Sequence, residues 1–124
     1  MKILSVDDSV IIRKIIRNGV ELLDYELVEA GDGLEALDIL EQSSVDISLI
    51  LLDWNMPGMD GFEFLQKVKE MATIKHIPVM MVTTESETEN IIKAIQAGAI
   101  NYMVKPFSIE ELTKKILECI GEGV

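Results

Sequence analysis

The chain has 124 residues, of which 48% are hydrophobic and 27% are charged, a composition that predicts one globular domain and excludes extensive disorder. The net charge of −11 argues against direct binding of a nucleic acid, because phosphate recognition needs clustered Lys and Arg. The apolar stretches are too short to insert into a membrane, no hydrophobic leader opens the chain, and the single Cys119 permits no intramolecular disulfide. We therefore expect a cytoplasmic protein.

Short apolar runs alternate with segments of helical spacing along the whole chain. The apolar runs predict five strands, at 2–6, 25–30, 47–52, 79–83 and 101–104. The helical segments predict five helices. The first begins after a cap at Asp8 or Ser9, and the fifth runs from a cap at Ser108 to about 120. The three between them cover 34 to about 42, about 62–71 and about 87–96. This alternation predicts an α/β fold, a doubly wound parallel sheet of strand order 2-1-3-4-5.

Polar side chains stand at the ends of four of the predicted strands. Asp7 and Asp8 follow the first strand and Asp53 follows the third, while Thr83 ends the fourth and Lys105 follows the fifth. In a parallel sheet the carboxyl ends of all strands lie at the same edge, where ligands bind. We expect these side chains to form one site.

The charges at this edge indicate a cation and a phosphoryl group. Three close carboxylates repel one another, and a hard divalent ion with oxygen ligands relieves the repulsion; Mg²⁺ is preferred and Mn²⁺ is an alternative. The ammonium of Lys105 and the hydroxyl of Thr83 suit phosphoryl oxygens. Asp53, at the end of the central strand, is then the candidate nucleophile.

Four motifs in this order resemble the signature of the receiver domains of two-component response regulators: DDS at 7–9, LDWNMPGMDG at 52–61, VT at 82–83 and VKPF at 104–107. The resemblance covers the whole chain and is strongest to the stand-alone, CheY-like type. It implies a flavodoxin-like three-layer sandwich in which residues 1–124 form a single receiver domain without an output domain. It also implies a signalling switch that catalyses only its own phosphorylation and dephosphorylation.

The resemblance assigns the acidic residues. Asp53 is expected to accept a phosphoryl group from a CheA-like sensor histidine kinase. Asp8, Asp53 and the backbone carbonyl of Asn55 are expected to bind Mg²⁺, and Asp7 to act through a water molecule. Asn55 and Glu85 occupy the positions that resemble those tuning the lifetime of the phosphoryl group.

The resemblance also assigns the residues that respond to phosphorylation. Thr83 and Lys105 are expected to contact the phosphoryl oxygens, and the Lys105–Pro106 peptide bond to be cis. Thr83 and Tyr102 are expected to carry the change to a partner-binding face made by the fourth helix, fifth strand and fifth helix. Without the resemblance, a half-buried core position explains Tyr102 equally well.

Several alternatives stay open for the downstream partner and for the class of protein. A chemotaxis regulator acting on a flagellar motor switch protein and a phosphorelay shuttle that passes phosphoryl groups to another histidine protein both fit. A monomer is expected, and dimerisation on phosphorylation is left open. A Mg²⁺-dependent haloacid dehalogenase-like phosphatase fits less well, because that family has an aspartate where this chain has Asn55. A mononucleotide binder fits less well because Asp7 and Asp8 repel phosphate.

Overall fold

Five strands and five helices alternate in the computed structural model, which describes residues 1–43 and 46–121. The strands are β1 (Lys2–Val6), β2 (Glu26–Ala30), β3 (Ile47–Leu52), β4 (Val79–Thr83) and β5 (Asn101–Val104). The helices are α1 (Val10–Leu22), α2 (Gly33–Ser43), α3 (Gly61–Glu70), α4 (Thr88–Gln96) and α5 (Ile109–Cys119). The bounds predicted from periodicity differ from these by no more than about one residue, the usual uncertainty at element ends.

All strand pairs are parallel, and the order β2-β1-β3-β4-β5 confirms the predicted topology. The register aligns the carboxyl ends of the strands. Val6 lies opposite Ala30 on one side and Leu52 on the other, while Thr83 lies opposite Val104. The residues that follow β1, β3 and β5 therefore begin at the same edge of the sheet.

Helices cover both faces of the sheet, which makes the predicted three-layer sandwich. One face packs against α2, α3 and α4 through a core that includes Leu40, Phe64 and Ala94. The other packs against α1 and α5 through a core that includes Ile16 and Leu112. Because β3 and β4 are buried on both faces, their sequences are continuously apolar rather than alternating.

Side-chain caps start two of the helices that flank the carboxyl edge. Ser9, and not Asp8, caps α1, since its Oγ accepts a hydrogen bond from the Ile12 N–H at 3.2 Å. Ser108 caps α5 in the same way, accepting from the Glu111 N–H at 3.0 Å. Asp8 is thus left free of a capping role.

No helix of residues 1–43 and 46–121 is long and apolar enough to cross a bilayer. The predicted domain also includes residues 44–45 and 122–124, which lie outside the described residues.

Candidate functional site

Three carboxylates meet at the carboxyl edge because β1 and β3 are neighbours. Asp7, Asp8 and Asp53 each place one carboxylate oxygen within 4.8 Å of the others. Asp7 and Asp53 are only 2% and 6% exposed, whereas Asp8 faces solvent. The β1–β3 ladder continues to the site, since the Asp53 N–H donates to the Val6 carbonyl at 3.0 Å. The sheet itself therefore holds the charges together.

Asp7 is the most firmly held of the three. Its Oδ1 accepts a hydrogen bond from the Ser9 N–H at 2.8 Å, and its Oδ2 accepts from Lys105 Nζ at 2.8 Å. Both carboxylate oxygens thus have a partner within the protein, which leaves Asp7 less free than Asp8 to coordinate an ion directly. This arrangement suits a residue that acts on an ion through water.

Asp53 carries a charge that its surroundings disfavour. Burial raises the pKa of the Asp53 carboxyl most strongly, and the neighbouring Asp7 carboxylate raises it further. The ammonium of Lys105, whose Nζ lies 3.4 Å from Asp53 Oδ2, lowers this pKa, as do hydrogen bonds from Thr83 and from the Asn55 N–H at 3.4 Å. The rise prevails, so a cation that pairs with the Asp53 carboxylate relieves a real electrostatic cost.

Lys105 links the two buried carboxylates. Its side chain is 11% exposed, and Nζ lies 2.8 Å from Asp7 and 3.4 Å from Asp53. The peptide bond between Lys105 and Pro106 is cis. The main chain places the side chain at the site, because the Lys105 N–H donates to the Thr83 carbonyl at 2.9 Å. The ammonium is therefore bound more closely to Asp7 than to the candidate nucleophile.

Thr83 and Tyr102 meet through Glu85. Thr83 is fully buried, and its Oγ1 accepts a hydrogen bond from the Glu85 N–H at 3.3 Å. The Tyr102 hydroxyl donates to the Glu85 carbonyl at 2.6 Å. Burial, then the charges of Glu85 and Asp53, raise the pKa of Tyr102 to about 12, so the phenol keeps the proton that it donates. The segment after β4 is thereby hydrogen-bonded to Thr83 at the site and to Tyr102 of β5.

The donor set fits a hard divalent cation. Two of the three carboxylates are buried, and the one positive charge that Lys105 carries does not balance the negative charge of the three. Carboxylate oxygens are the ligands that Mg²⁺ and Mn²⁺ prefer, and the exposed Asp8 and Asn55 leave an approach from solvent. The position of the Asn55 carbonyl as a ligand stays a prediction.

Arg13, Trp54 and Phe62 make contacts around the site that the motifs do not assign. Arg13 donates from Nη1 to the main-chain carbonyl of Asp7 at 2.7 Å. Trp54, the residue after Asp53, stacks on Phe62 with ring centroids 5.4 Å apart, and Lys93 Nζ lies 4.5 Å from the Phe62 centroid. A charged residue in an amphipathic helix usually faces solvent, so spacing alone could not identify these contacts.

Gly61 is a further residue whose role depends on close approach. A Cβ at this position would lie 2.0 Å from the Asp53 carbonyl oxygen and 2.7 Å from the Trp54 Cα. The Gly61 N–H donates to the Trp54 carbonyl at 2.7 Å, which closes the loop from β3 to α3. Only glycine allows α3 to begin this close to the phosphoacceptor candidate.

The chain is thus an α/β protein whose five-stranded parallel sheet carries an acidic cluster and a lysine at its carboxyl edge. The chain belongs to the response regulator receiver domain family, which matches residues 3–117. It is 44% identical over 117 residues to the chemotaxis protein CheY of Pseudomonas aeruginosa, covering 94% of this chain and 93% of that protein. It is 40% identical over 124 residues to a CheY homolog of Campylobacter jejuni, covering 99% and 95%.

Solved structures agree with these relationships. The chain superposes on the chemotaxis response regulator CheY4 of Vibrio cholerae with a TM-score of 0.87 and 36% identity, covering 95% of this chain and 97% of that one. The Mn²⁺-bound form of response regulator Rcp1 matches with a TM-score of 0.79 and 30% identity, covering 94% and 89%. The chain is therefore a CheY-like receiver domain of two-component signalling, a switch rather than a conventional enzyme.

Proposed function

We propose that this protein is a chemotaxis response regulator that accepts a phosphoryl group from a CheA-like histidine kinase on Asp53. The observation that carries the proposal is the cluster of Asp7, Asp8 and Asp53, in which a buried carboxylate of raised pKa lies beside Lys105 and Thr83. Such a group combines nucleophilic oxygen, an unbalanced negative charge and donors for phosphoryl oxygens. The chemotaxis pathway is inferred from the CheY relatives.

Asp8, Asp53 and the Asn55 carbonyl would hold Mg²⁺ or Mn²⁺, with Asp7 acting through water. When bound, the ion would supply positive charge to the oxygens of the transferring phosphoryl group. The solvent-facing Asp8 is free to turn towards an ion, because its carboxylate has no hydrogen bond or ion pair with residues 1–43 and 46–121. The Mn²⁺-bound form of the related regulator Rcp1 supports this assignment.

Transfer to Asp53 is a substitution at phosphorus. A carboxylate oxygen of Asp53 forms the new O–P bond while the N–P bond to the kinase histidine breaks, and the imidazole nitrogen keeps the electron pair and takes up a proton. Lys105 already lies between Asp7 and Asp53, so a small movement of its flexible side chain brings the ammonium to the phosphoryl oxygens. This contact would hold the new group in place.

The signal then reaches the surface through Thr83. If the Thr83 hydroxyl turns to a phosphoryl oxygen, the bond that it accepts from the Glu85 N–H is lost, and the Glu85 carbonyl that Tyr102 holds can move. The phosphoryl group thus favours a second position of Tyr102. The neighbouring α4–β5–α5 face exposes Ile92, Ile95 and Ile100 to a partner.

The proposal includes one receiver domain over residues 1–124, a monomer in the cytoplasm, and a protein target such as a flagellar motor switch protein. Asn55 is exposed beside Asp53 and Glu85 is half-buried beyond Thr83, positions from which both can influence the attack of water on the phosphoryl group. They are therefore proposed to set its lifetime. Transfer onward to another histidine protein is the alternative output.

The test uses Trp54, the single tryptophan, as a fluorescence reporter next to the acceptor. Mg²⁺ and then acetyl phosphate should change the emission in two separate steps, and Asp53→Asn should abolish the second. Asp38→Asn, an exposed carboxylate change on α2, is the control and should leave both steps intact. A second step that persists in Asp53→Asn would exclude Asp53 as the acceptor.

The output is tested with the phosphorylated protein. Binding to a purified flagellar motor switch protein should tighten on phosphorylation, and Tyr102→Ala should reduce this gain without changing phosphorylation. Quantitative recovery of the phosphoryl group on a histidine protein, with no change in motor-protein binding, would favour the shuttle instead.

A further inference from the structure

Arg13 of α1 makes contacts on two sides of the acidic cluster. Its Nη1 donates to the main-chain carbonyl of Asp7 at 2.7 Å, and its Nε lies 3.3 Å from Oε1 of Glu29 in β2. The two side chains are only 19% and 24% exposed. Among the residues that the structure describes, the buried Nε has no hydrogen-bond partner, so its contact with Glu29 is an ion pair. Arg13 therefore bridges the loop after β1 and the neighbouring strand.

The carbonyl that Arg13 holds controls the orientation of Asp8. The Asp7 carbonyl and the Asp8 N–H belong to the same planar peptide group. Asp7 is fixed on its other sides, because its N–H donates to the Ala30 carbonyl at 3.0 Å and its carboxylate is held by Ser9 and Lys105. Asp8 has no such side-chain partner among residues 1–43 and 46–121, so the preceding peptide determines where its carboxylate can reach.

The surroundings of Arg13 keep the guanidinium in this position. Glu29 also pairs with Arg17, one turn further along α1, so this carboxylate contacts two guanidinium groups, of which only that of Arg13 reaches the Asp7 carbonyl. A Cβ at Gly31 would lie 3.3 Å from Arg13 Nη1, which shows how closely the guanidinium passes the backbone after β2. A planar guanidinium with several fixed donors can contact the Asp7 carbonyl and the Glu29 carboxylate at once, whereas a lysine ammonium can reach only one of these two groups.

We propose that Arg13, anchored by Glu29, is a positioning residue for the divalent cation site. By fixing the Asp7–Asp8 peptide, it directs the Asp8 carboxylate towards Asp53 and so lowers the conformational cost of binding the ion. The inference rests on the proposed function only in assuming a cation at this cluster, and no step of phosphoryl transfer enters it.

Positioning and simple charge predict opposite effects for Arg13→Gln. Removing a positive charge near a cation site strengthens cation binding if charge alone matters, since a repulsion is lost. Removing an outer contact that orients a ligand weakens binding, commonly by 10–100-fold in other metal sites. The direction in which the Kd for the cation changes therefore distinguishes positioning from simple charge.

The experiment is a titration of the whole chain with Mg²⁺ alone, followed by Trp54 fluorescence and repeated with Mn²⁺ by electron paramagnetic resonance. Arg13→Gln should raise the Kd about tenfold or more. Arg17→Gln is the matched control: it has the same charge change and loses the same Glu29 partner, but it does not touch Asp7. Its Kd should change by less than about twofold.

Two further variants make the test complete. Arg13→Lys should restore the wild-type affinity only in part. It keeps the positive charge but can make only one of the two contacts, so a raised Kd in this variant keeps the proposal testable if Arg13→Gln does not fold. Glu29→Gln removes the anchor and should also raise the Kd. Unchanged or tighter Mg²⁺ binding in folded Arg13→Gln, or an equal loss in Arg17→Gln, would overturn the proposal. Normal Mg²⁺ titrations with no response to acetyl phosphate would count against the proposed function alone.

Discussion

Replacing Lys105 by Met removes the ammonium that lies between Asp7 and Asp53, at 2.8 and 3.4 Å. With an effective dielectric constant near 20, these distances correspond to gross attractions of about 6 and 5 kcal/mol. The variant avoids the cost of taking the ammonium out of water on folding, which offsets several kcal/mol, and one carboxylate can take up a proton. The net loss of unfolding free energy is therefore roughly 3–5 kcal/mol. This is a large part of the stability of a typical domain.

The loss of unfolding free energy in Lys105→Met should depend on pH in a direction that the pKa of Asp53 determines. Lys105 lowers the pKa of Asp53, so in Lys105→Met this pKa rises above its already raised value. A folded state that binds a proton more readily than the unfolded chain gains stability as the pH falls. The difference in unfolding free energy between Lys105→Met and the wild-type protein should therefore become smaller from pH 7 to pH 5.

Urea denaturation in EDTA, followed by far-ultraviolet circular dichroism at both pH values, measures this difference. Lys114→Met, on the exposed side of α5, is the control and should change stability by less than about 0.5 kcal/mol. Added Mg²⁺ should restore part of the stability of Lys105→Met, because the ion binds the folded state only. A loss below about 1 kcal/mol, or a difference that becomes larger at pH 5, would refute the electrostatic reasoning.

Asp53→Asn should raise the unfolding free energy at pH 7 by roughly 1 kcal/mol or more, because burial and Asp7 disfavour the charge that it removes. Because the pKa of Asp53 is raised in the folded state, the wild-type protein gains stability as the pH falls towards 4, and the difference in unfolding free energy from Asp53→Asn should shrink. Urea titrations in which this difference does not change with pH would contradict the electrostatic explanation. Gly61→Ala should cost about 3 kcal/mol or more in thermal unfolding, because its Cβ would lie 2.0 Å from the Asp53 carbonyl oxygen. The atoms nearest to a Cβ at Gly33 belong to the flexible Met59 side chain, the closest at 3.0 Å, so Gly33→Ala should cost less. Equal losses of stability in the two variants would argue against the backbone clash.

Periodicity and the rules of parallel sheets were sufficient for the fold and for the location of the site. Continuous apolar runs identify buried strands, and right-handed crossovers favour the strand order 2-1-3-4-5, which the structure has. This order places the end of the strand before Asp53 beside the end of the strand before Asp7. The site followed because residues after parallel strands share one edge. The roles of the individual residues came from resemblance, since a carboxylate at a strand end can equally be a cap or a turn residue.

The tertiary structure alone decided which partner each side chain has. Sequence could not show that Lys105 binds Asp7 more closely than Asp53, or that Tyr102 reaches the Glu85 carbonyl. Nor could it show that Arg13 turns from the surface of α1 to the Asp7 carbonyl. Local sequence determines helix and strand because neighbouring residues interact through the backbone. Contacts between long side chains depend on the spacing and rotation of whole elements, which only the packed core fixes.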